Sequence, residues 1–383
     1  MATPAEVINP ITITNYQKGT IDSAFDSSVI LAMLKAKNCV KKSSGGLNFY
    51  WTQRVVNYAV QSNGNYADVN DKYVPTKLDQ SFTLGWAKLE TFDALSHFDQ
   101  QRNSGDQALV KFSEENIPWM YRSMLSQGTN SIADQFFNDR SSLALQMFGL
   151  QSVHQYTDVA TSVNEATITS SATYAGRSLE TSSIGVVGAE TYAHTPRNAN
   201  TDYDWDGTGG ADGELVVANV PLVIGHVQNR VTFDPADQRM SPDAIISGRT
   251  YFDIGRSWIG SNQTIFVELG DATDGKFGLG SSIECIPIHG LKWYWDANCP
   301  DSQGFILNFD HIKLNYLDPG APVSADKYPG KKGDGSVKGA DKLMFHTEVN
   351  YNDGRLGLTV GNEFAGQFQI DARYQGEFSK HTA

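Results

Sequence analysis

Leu47, Phe49, Trp51, Gln53 and Val55 alternate with Asn48, Tyr50, Thr52 and Arg54. A period of two over that length keeps its apolar residues on one face only if the chain is extended. A second run of the same kind, SFTLGWAKLETF at 81–92, follows the polar, turn-rich SNGNYADVNDKYVPTKLDQ. Together they predict a long two-stranded hairpin with a large tip. Two strands alone are marginal in water, so this hairpin needs a surface to lie on, either its own body or another subunit. Its aromatic residues Trp51, Tyr58, Tyr66, Tyr73 and Trp86 offer contact area that a monomer would leave exposed, and they are the candidate subunit interface.

The remaining chain divides by periodicity. An extended start at Ile11 to Thr14 and an amphipathic stretch from about Ser23 to Lys37 precede the break KKSSGG. The strongest helical signal lies at 104–150, where Leu109, Phe112, Met120, Met124 and Phe136 form an apolar stripe and Ser104 with Gln107 has the form of a capping box. Pro118 removes one backbone donor and is expected to bend this helix, about 106–140, without ending it. Residues 151–240 are rich in Thr, Ser, Ala and Gly with β-like runs such as ELVVANVPLVIGHV. From Ser241 the pattern becomes α+β: a buried strand AIIS, a helix, then the strands TIFVELG, SSIECIPIHG, LKWYW and GFILNFDHIKLNYL. A Pro-, Gly- and Lys-rich break, DPGAPVSADKYPGKKGDGSVKGADK, separates these from a closing β segment that ends near QIDARY.

Composition excludes several functions. A net charge of −13 opposes a grip on phosphate backbones, which needs clustered Lys and Arg. Cys39, Cys285 and Cys299 show no CxxC spacing and leave one over, so neither a zinc site nor a disulfide framework is expected, and a reducing cytoplasm is the easier setting for synthesis. No basic segment leads into an apolar core at the N-terminus, and no eighteen apolar residues run together, so neither a secretory leader nor a membrane span is expected.

The stretch DYDWDG places Asp202, Asp204 and Asp206 at the first, third and fifth positions of an EF-hand loop, with Gly207 at the sixth. The twelfth position, which needs a bidentate glutamate, is Gly213, and Glu214 comes one residue late. A solvated Gly-rich loop is the favoured reading and a looser, acid-lined calcium site the minor one. The histidines are scattered singly with no HExxH, the glycine-rich runs lack phosphate-loop spacing, and no GxSxG elbow occurs. No catalytic residue and no resident cofactor is therefore assigned. Trp293, Tyr294 and Trp295 are read as strand core or subunit contact rather than a stacking platform, with Tyr294 on one face and both tryptophans on the other. Lys331, Lys332 and Lys338 are read as a solvated loop.

The order arm, long hairpin, long helix, β-rich middle, α+β region and returning β segment resembles the major capsid proteins of tailed bacteriophages, which have the α+β HK97-like fold. SPDAIISGRTYFDIGRSWI looks like the A-domain strand and helix of that family, FGLGSSIECIPIHGLKWYWDANCPDSQGFILNFDHIKLNYLD like the succeeding hairpin, and GRLGLTVGNEFAGQFQID like its last P-domain strands. The resemblance implies an N-terminal arm at 1–46, an E-loop hairpin at 47–95, and a P-domain at 96–240 with a spine helix and a β-rich insertion. It further implies an A-domain at 241–320, and a loop with returning P-domain strands at 321–383. It implies a non-enzymatic virion protein that assembles with itself into hexamers and pentamers around DNA, with scaffolding, portal or decoration proteins as further partners. An acidic wall beside packaged DNA fits that role. No scaffolding-like coiled coil precedes the arm. Family members that crosslink use a Lys and an Asn; Lys72 and Lys77 lie in the hairpin, without a matched acceptor. Two other readings stand beside it: a calcium-dependent binding module, with carbohydrate as one candidate ligand, using Asp202, Asp204 and Asp206 with Trp205, and a carbohydrate-active enzyme with two unassigned carboxylates.

Overall fold

A computed structural model of the chain describes residues 28–43, 45–54, 79–96, 116–128, 130–137, 146–157, 167–168, 173–178, 197–200, 215–232, 241–261, 268–269, 284–317, 346–351 and 357–379. The first described element is helix α1, Val29–Ala36, whose residues Val29 to Leu34 are all buried. The described part is therefore a core helix and not the amphipathic one expected, because VILAML has no polar face. Its end is a Schellman closure: Asn38 sits at φ 55, Cys39 N–H donates to Leu34 O at 2.8 Å, and Asn38 N–H to Lys35 O at 3.0 Å.

The chain continues through strands β1, Val40–Ser43, β2, Asn48–Arg54, β3, Asp79–Gly85, and β4, Ala87–Ser96. Strands β2 and β3 pair from Asn48↔Gly85 to Arg54↔Asp79, as alternation predicts. The run at 81–92 does not stay in the hairpin, however: past Trp86 it becomes β4, which leaves β2 for another sheet.

The single kinked helix over 106–140 is not what forms among the described residues. Helix α2, Ile117–Arg122, runs into a π-helical turn, Ser123–Gln127, and stops at Gly128, whose backbone is extended. A new helix, α3, Ile132–Phe137, then begins. The reason is a local start signal: Ser131 Oγ accepts from Asp134 N–H at 3.2 Å, and Asp134 Oδ2 accepts from Asn130 N–H at 2.9 Å, a reciprocal cap that fixes a fresh N-terminus. Pro118 lies in the first turn of α2, where its missing donor is harmless.

Next come α4, Leu150–Val153, the short ladders of β5, Tyr156–Thr157, with β6, Thr167–Ile168, and of β7, Thr173–Tyr174, with β8, Arg177–Ser178, and then β9, Arg197–Asn200. The β-like run after Glu214 forms a helix instead, α5, Val220–Thr232. Val220, Val223, Ile224, Val227 and Val231 are buried at helical spacing, and burial of that stripe outweighs the weak helix preference of β-branched residues.

The α+β region forms as predicted: β10, Ala244–Ser247, α6, Arg249–Ser261, β11, Glu268–Leu269, β12, Glu284–Ile288, β13, Leu291–Trp295, and β14, Gln303–Leu307. After a 3-10 turn, Phe309–His311, come β15, Ile312–Leu317, β16, His346–Tyr351, and β17, Gly357–Ile370. A second 3-10 turn, Ala372–Tyr374, leads to β18, Gly376–Ser379.

Two sheets organise these elements. One has seven strands in the order β11-β12-β13-β10-β14-β18-β9, with β10–β13 and β18–β9 parallel. The other has five: β1-β15-β17-β16, with β4 on the free edge of β17. The seven-stranded sheet is buried on both faces. Ile245, Trp293, Ile306 and Phe378 pack under α5 and α6, while Ala244, Ile246, Tyr294, Phe305 and Leu307 join Phe136, Phe137 and the inner residues of the five-stranded sheet. That double covering is why AIIS is an unbroken apolar run. Trp293 and Tyr294 are thus both core, on opposite faces, and only Trp295 at the strand end is exposed.

Candidate assembly surface

The hairpin root presents one face to the body and one to solvent. Trp51 stacks on Phe82, centroids 5.2 Å apart at 15°, and on Phe49 at 5.5 Å, while Trp86 meets the edge of Phe49 at 5.7 Å. Phe82 and Leu84 are buried in the main core. Polar ties hold this face down: Trp51 Nε1 donates to Asp371 Oδ1 at 3.1 Å, Thr83 N–H to Ala175 O at 3.1 Å, and Gln367 Nε2 to Gly85 O at 2.8 Å. Trp86 Nε1 donates to Gly46 O at 2.9 Å, closing the root on itself.

Of the five aromatic residues singled out in the sequence, Trp51 and Trp86 are half-buried against their own chain. Tyr58, Tyr66 and Tyr73 lie outside the described residues, as do Lys72, Lys77, Asp202, Asp204 and Asp206. The apolar side chains that face solvent near the hairpin are others: Leu47 is 92 % exposed, Tyr50 63 % and Phe92 74 %. Alternation already set Tyr50 opposite Trp51. Phe92 carries no such signal, since its place depends on pairing with Gly361, 269 residues away, where its ring covers the space a side chain would fill. Trp119, on α2, is also 56 % exposed, with the Arg122 guanidinium 5.8 Å from its ring centroid.

Charge surrounds Phe92. Lys88 pairs with Glu363 at 2.8 Å and with Glu90, and these two hydrogen bonds raise the pKa of its ammonium. On the same register, Glu90 stands opposite Glu363, so Lys88 separates two like charges across the strands.

Nothing among the described residues forms a reaction centre. Among the described residues no group of three or more His, Cys, Asp or Glu is placed to hold a metal ion. An open, polar groove of about 470 Å³ between the 127–134 and 297–301 turns includes Cys299, but burial pushes this thiol well up, with Asp296 and Glu377 adding to the shift. Its protonated form is a poor nucleophile. Cys39 is likewise pushed up to about 11, chiefly by burial, and all three cysteines are buried thiols outside any disulfide. Glu377, inside the sheet core, is raised to about 8 by burial against the lowering effect of the Ser379 hydroxyl, which donates to it at 2.6 Å. His154 Nδ1 lies 3.6 Å from its other oxygen. Glu377 and His154 are both buried. No described helix is long and apolar enough to cross a membrane.

No protein-family model matches the sequence, and no curated protein is similar to it. Among solved structures, a chain of the cyanophage A-1(L) capsid asymmetric unit superposes with a TM-score of 0.54 at 12% identity, covering 92% of this chain and 93% of that one. Chains of the myovirus XM1 capsid, with a TM-score of 0.45 at 9% identity, and of the cyanophage P-SCSP1u capsid, 0.45 at 8%, are also similar. They cover 91% and 90% of this chain and 90% and 86% of their own. The chain therefore has a mixed α+β fold shared along nearly its whole length with the A-1(L) capsid chain. This is the HK97-like capsid fold that the order of its sequence elements resembles.

Proposed function

We propose that this chain is the major capsid protein of a tailed-phage-like particle, a structural subunit that assembles with itself into an icosahedral shell enclosing DNA. The observation that carries the reading is the fold match to the A-1(L) capsid chain over 92% of the sequence. The hairpin root and its surroundings support it, since Tyr50 on β2, Leu47 just before it and Phe92 on the neighbouring β4 leave apolar side chains uncovered for neighbours. Contacts of this kind bury roughly 1,200 to 2,000 Å² each, and closed symmetry sums many of them into one shell. In this reading residues 1–46 are the arm, 47–95 the E-loop, 96–240 a P-domain with a β-rich insertion and a spine that includes α2, 241–320 the A-domain and 321–383 a loop with the returning strands. Trp51, Tyr58, Tyr66, Tyr73 and Trp86 line subunit contacts, hexamers and pentamers make up the shell, and scaffolding, portal or decoration proteins are further partners. Asp202, Asp204 and Asp206 hold, at most, a calcium ion at such a contact.

Electron microscopy and sedimentation of the purified full chain, alone and co-expressed with its neighbouring genes, test the role. Shells, rings or very large oligomers are expected; a monodisperse small species under all these conditions overturns it. Deletion of residues 63–78 is expected to leave a folded subunit that no longer assembles. Calcium titration followed by thermal stability tests the aspartates, with loss of any response in Asp204→Ala.

A further inference from the structure

We propose that Trp51, Asp371 and His311 form a latch that couples the setting of the hairpin to the joint between the two sheets. The chain passes between the sheets at two neighbouring crossings: from β14 through the turn Phe309–His311 into β15, and from β17 through Asp371 and the turn Ala372–Tyr374 into β18. The crossings are bound to each other. Asp371 N–H donates to His311 O at 3.1 Å, the His311 ring stacks on Tyr374 with centroids 3.8 Å apart, and Asn308 and Gln375 exchange hydrogen bonds of 3.1 and 3.2 Å.

Asp371 belongs to this joint and also grips the hairpin. Its Oδ1 accepts from Trp51 Nε1 at 3.1 Å and its Oδ2 lies 3.1 Å from His311 Nδ1. A carboxylate only accepts, so His311 carries its proton on Nδ1 and the carboxylate is held between two ring donors. Trp51 passes that restraint to the strands through its stack on Phe82 and Phe49. A two-stranded ladder has little rigidity of its own, so its angle follows what its root is tied to. His311 therefore acts on the hairpin at one remove, as a positioning residue: without its N–H, Asp371 is free to turn away from Trp51. The inference rests on this chain's own contacts, whatever the hairpin meets outside.

Hydrogen exchange on the full chain tests it. Trp51→Phe keeps an aromatic stack and loses the donor; His311→Phe keeps a ring on Tyr374 and loses the proton. Each is expected to speed exchange across 48–54 and 79–85 by about tenfold, the worth of one charge-assisted hydrogen bond. The double variant is expected to be no faster than the faster single, because both break one latch. Unchanged hairpin rates in His311→Phe, or effects that multiply in the double variant, overturn the proposal in favour of independent packing. Should His311→Phe not fold, Asp371→Asn against Asp371→Leu asks the same question. Asn keeps an oxygen for Trp51 and should hold the hairpin slow where Leu does not, and equal rates in the two overturn it.

Discussion

Asp296 makes the sharpest stability prediction. Helix α1 begins at Ser28, but the serine side chain does not cap it. Its Oγ donates instead to Asp296 Oδ2 at 2.9 Å, and the same oxygen accepts from Ile30 N–H, the second donor of the helix, at 3.0 Å. A carboxylate 268 residues away thus does the capping, and the negative charge suits the helix N-terminus. The other oxygen, Oδ1, accepts from Asn298 N–H at 2.9 Å and Nδ2 at 3.0 Å. In Asp296→Ala the Asn298 groups, only part-buried, regain water, whereas the Ser28 hydroxyl and Ile30 N–H are left unpaired in the core. Each buried orphan costs about 1 to 3 kcal/mol, and relief from desolvating the carboxylate offsets a part. The expected net loss is about 3 to 4 kcal/mol, a large share of a total of about 5 to 15. Urea unfolding gives the change in stability through the midpoint at constant m, and exchange of the α1 amides should rise with it. Ser28→Ala, which removes one donor and strands no acceptor, should lose about 1 kcal/mol. A loss below about 1 kcal/mol in Asp296→Ala, or exchange in α1 unchanged, would refute the capping argument.

Glu377 predicts a pH dependence. Its folded pKa of about 8 stands above the ordinary 4.5, so between these values the unfolded chain has released a proton that the folded chain keeps. The contribution of Glu377 to stability therefore falls as pH rises from about 4.5 to 8 and levels off beyond. Glu377→Gln should flatten that slope in thermal melts at pH 5 and pH 8, and an undiminished slope would assign it to other groups. Two helix glycines make opposite predictions. A Cβ on Gly255 would lie 2.4 Å from the Trp293 ring, so Gly255→Ala should lose about 1 to 3 kcal/mol to overpacking despite a better helix residue. On Gly225 the nearest atom would be His289 Nε2 at an ordinary 3.5 Å, so Gly225→Ala should gain up to about 1 kcal/mol in the same urea assay.

How much was legible follows from the range of each signal. The strand AIIS, helix α6 and the strands β12 to β15 were readable because their periods and their Gly breaks are local. The stop at Gly128 with the Ser131 and Asp134 start was present in the sequence but masked by the apolar stripe running through it. Helix α5 was hidden by its composition: its valines stand at helical spacing, yet β-branched residues suggest strands, and only the sheet beneath them decides. The aromatic hairpin was readable, and alternation set Tyr50 opposite Trp51. That Trp51 meets Asp371, and that Phe92 on β4 faces solvent, was not readable, because their partners are 320 and 269 residues distant.

By itself the sequence determined the local elements of the hairpin root and of the α+β region from Ser241, and an order of elements that resembles a capsid fold. Tertiary structure alone decided the strand order of the two sheets, the carboxylate that caps α1, and which apolar side chains remain uncovered. The physical reason is that a period of two or 3.6 is set by neighbours along the chain, whereas burial and pairing are set by which surfaces meet, and that depends on the whole chain at once.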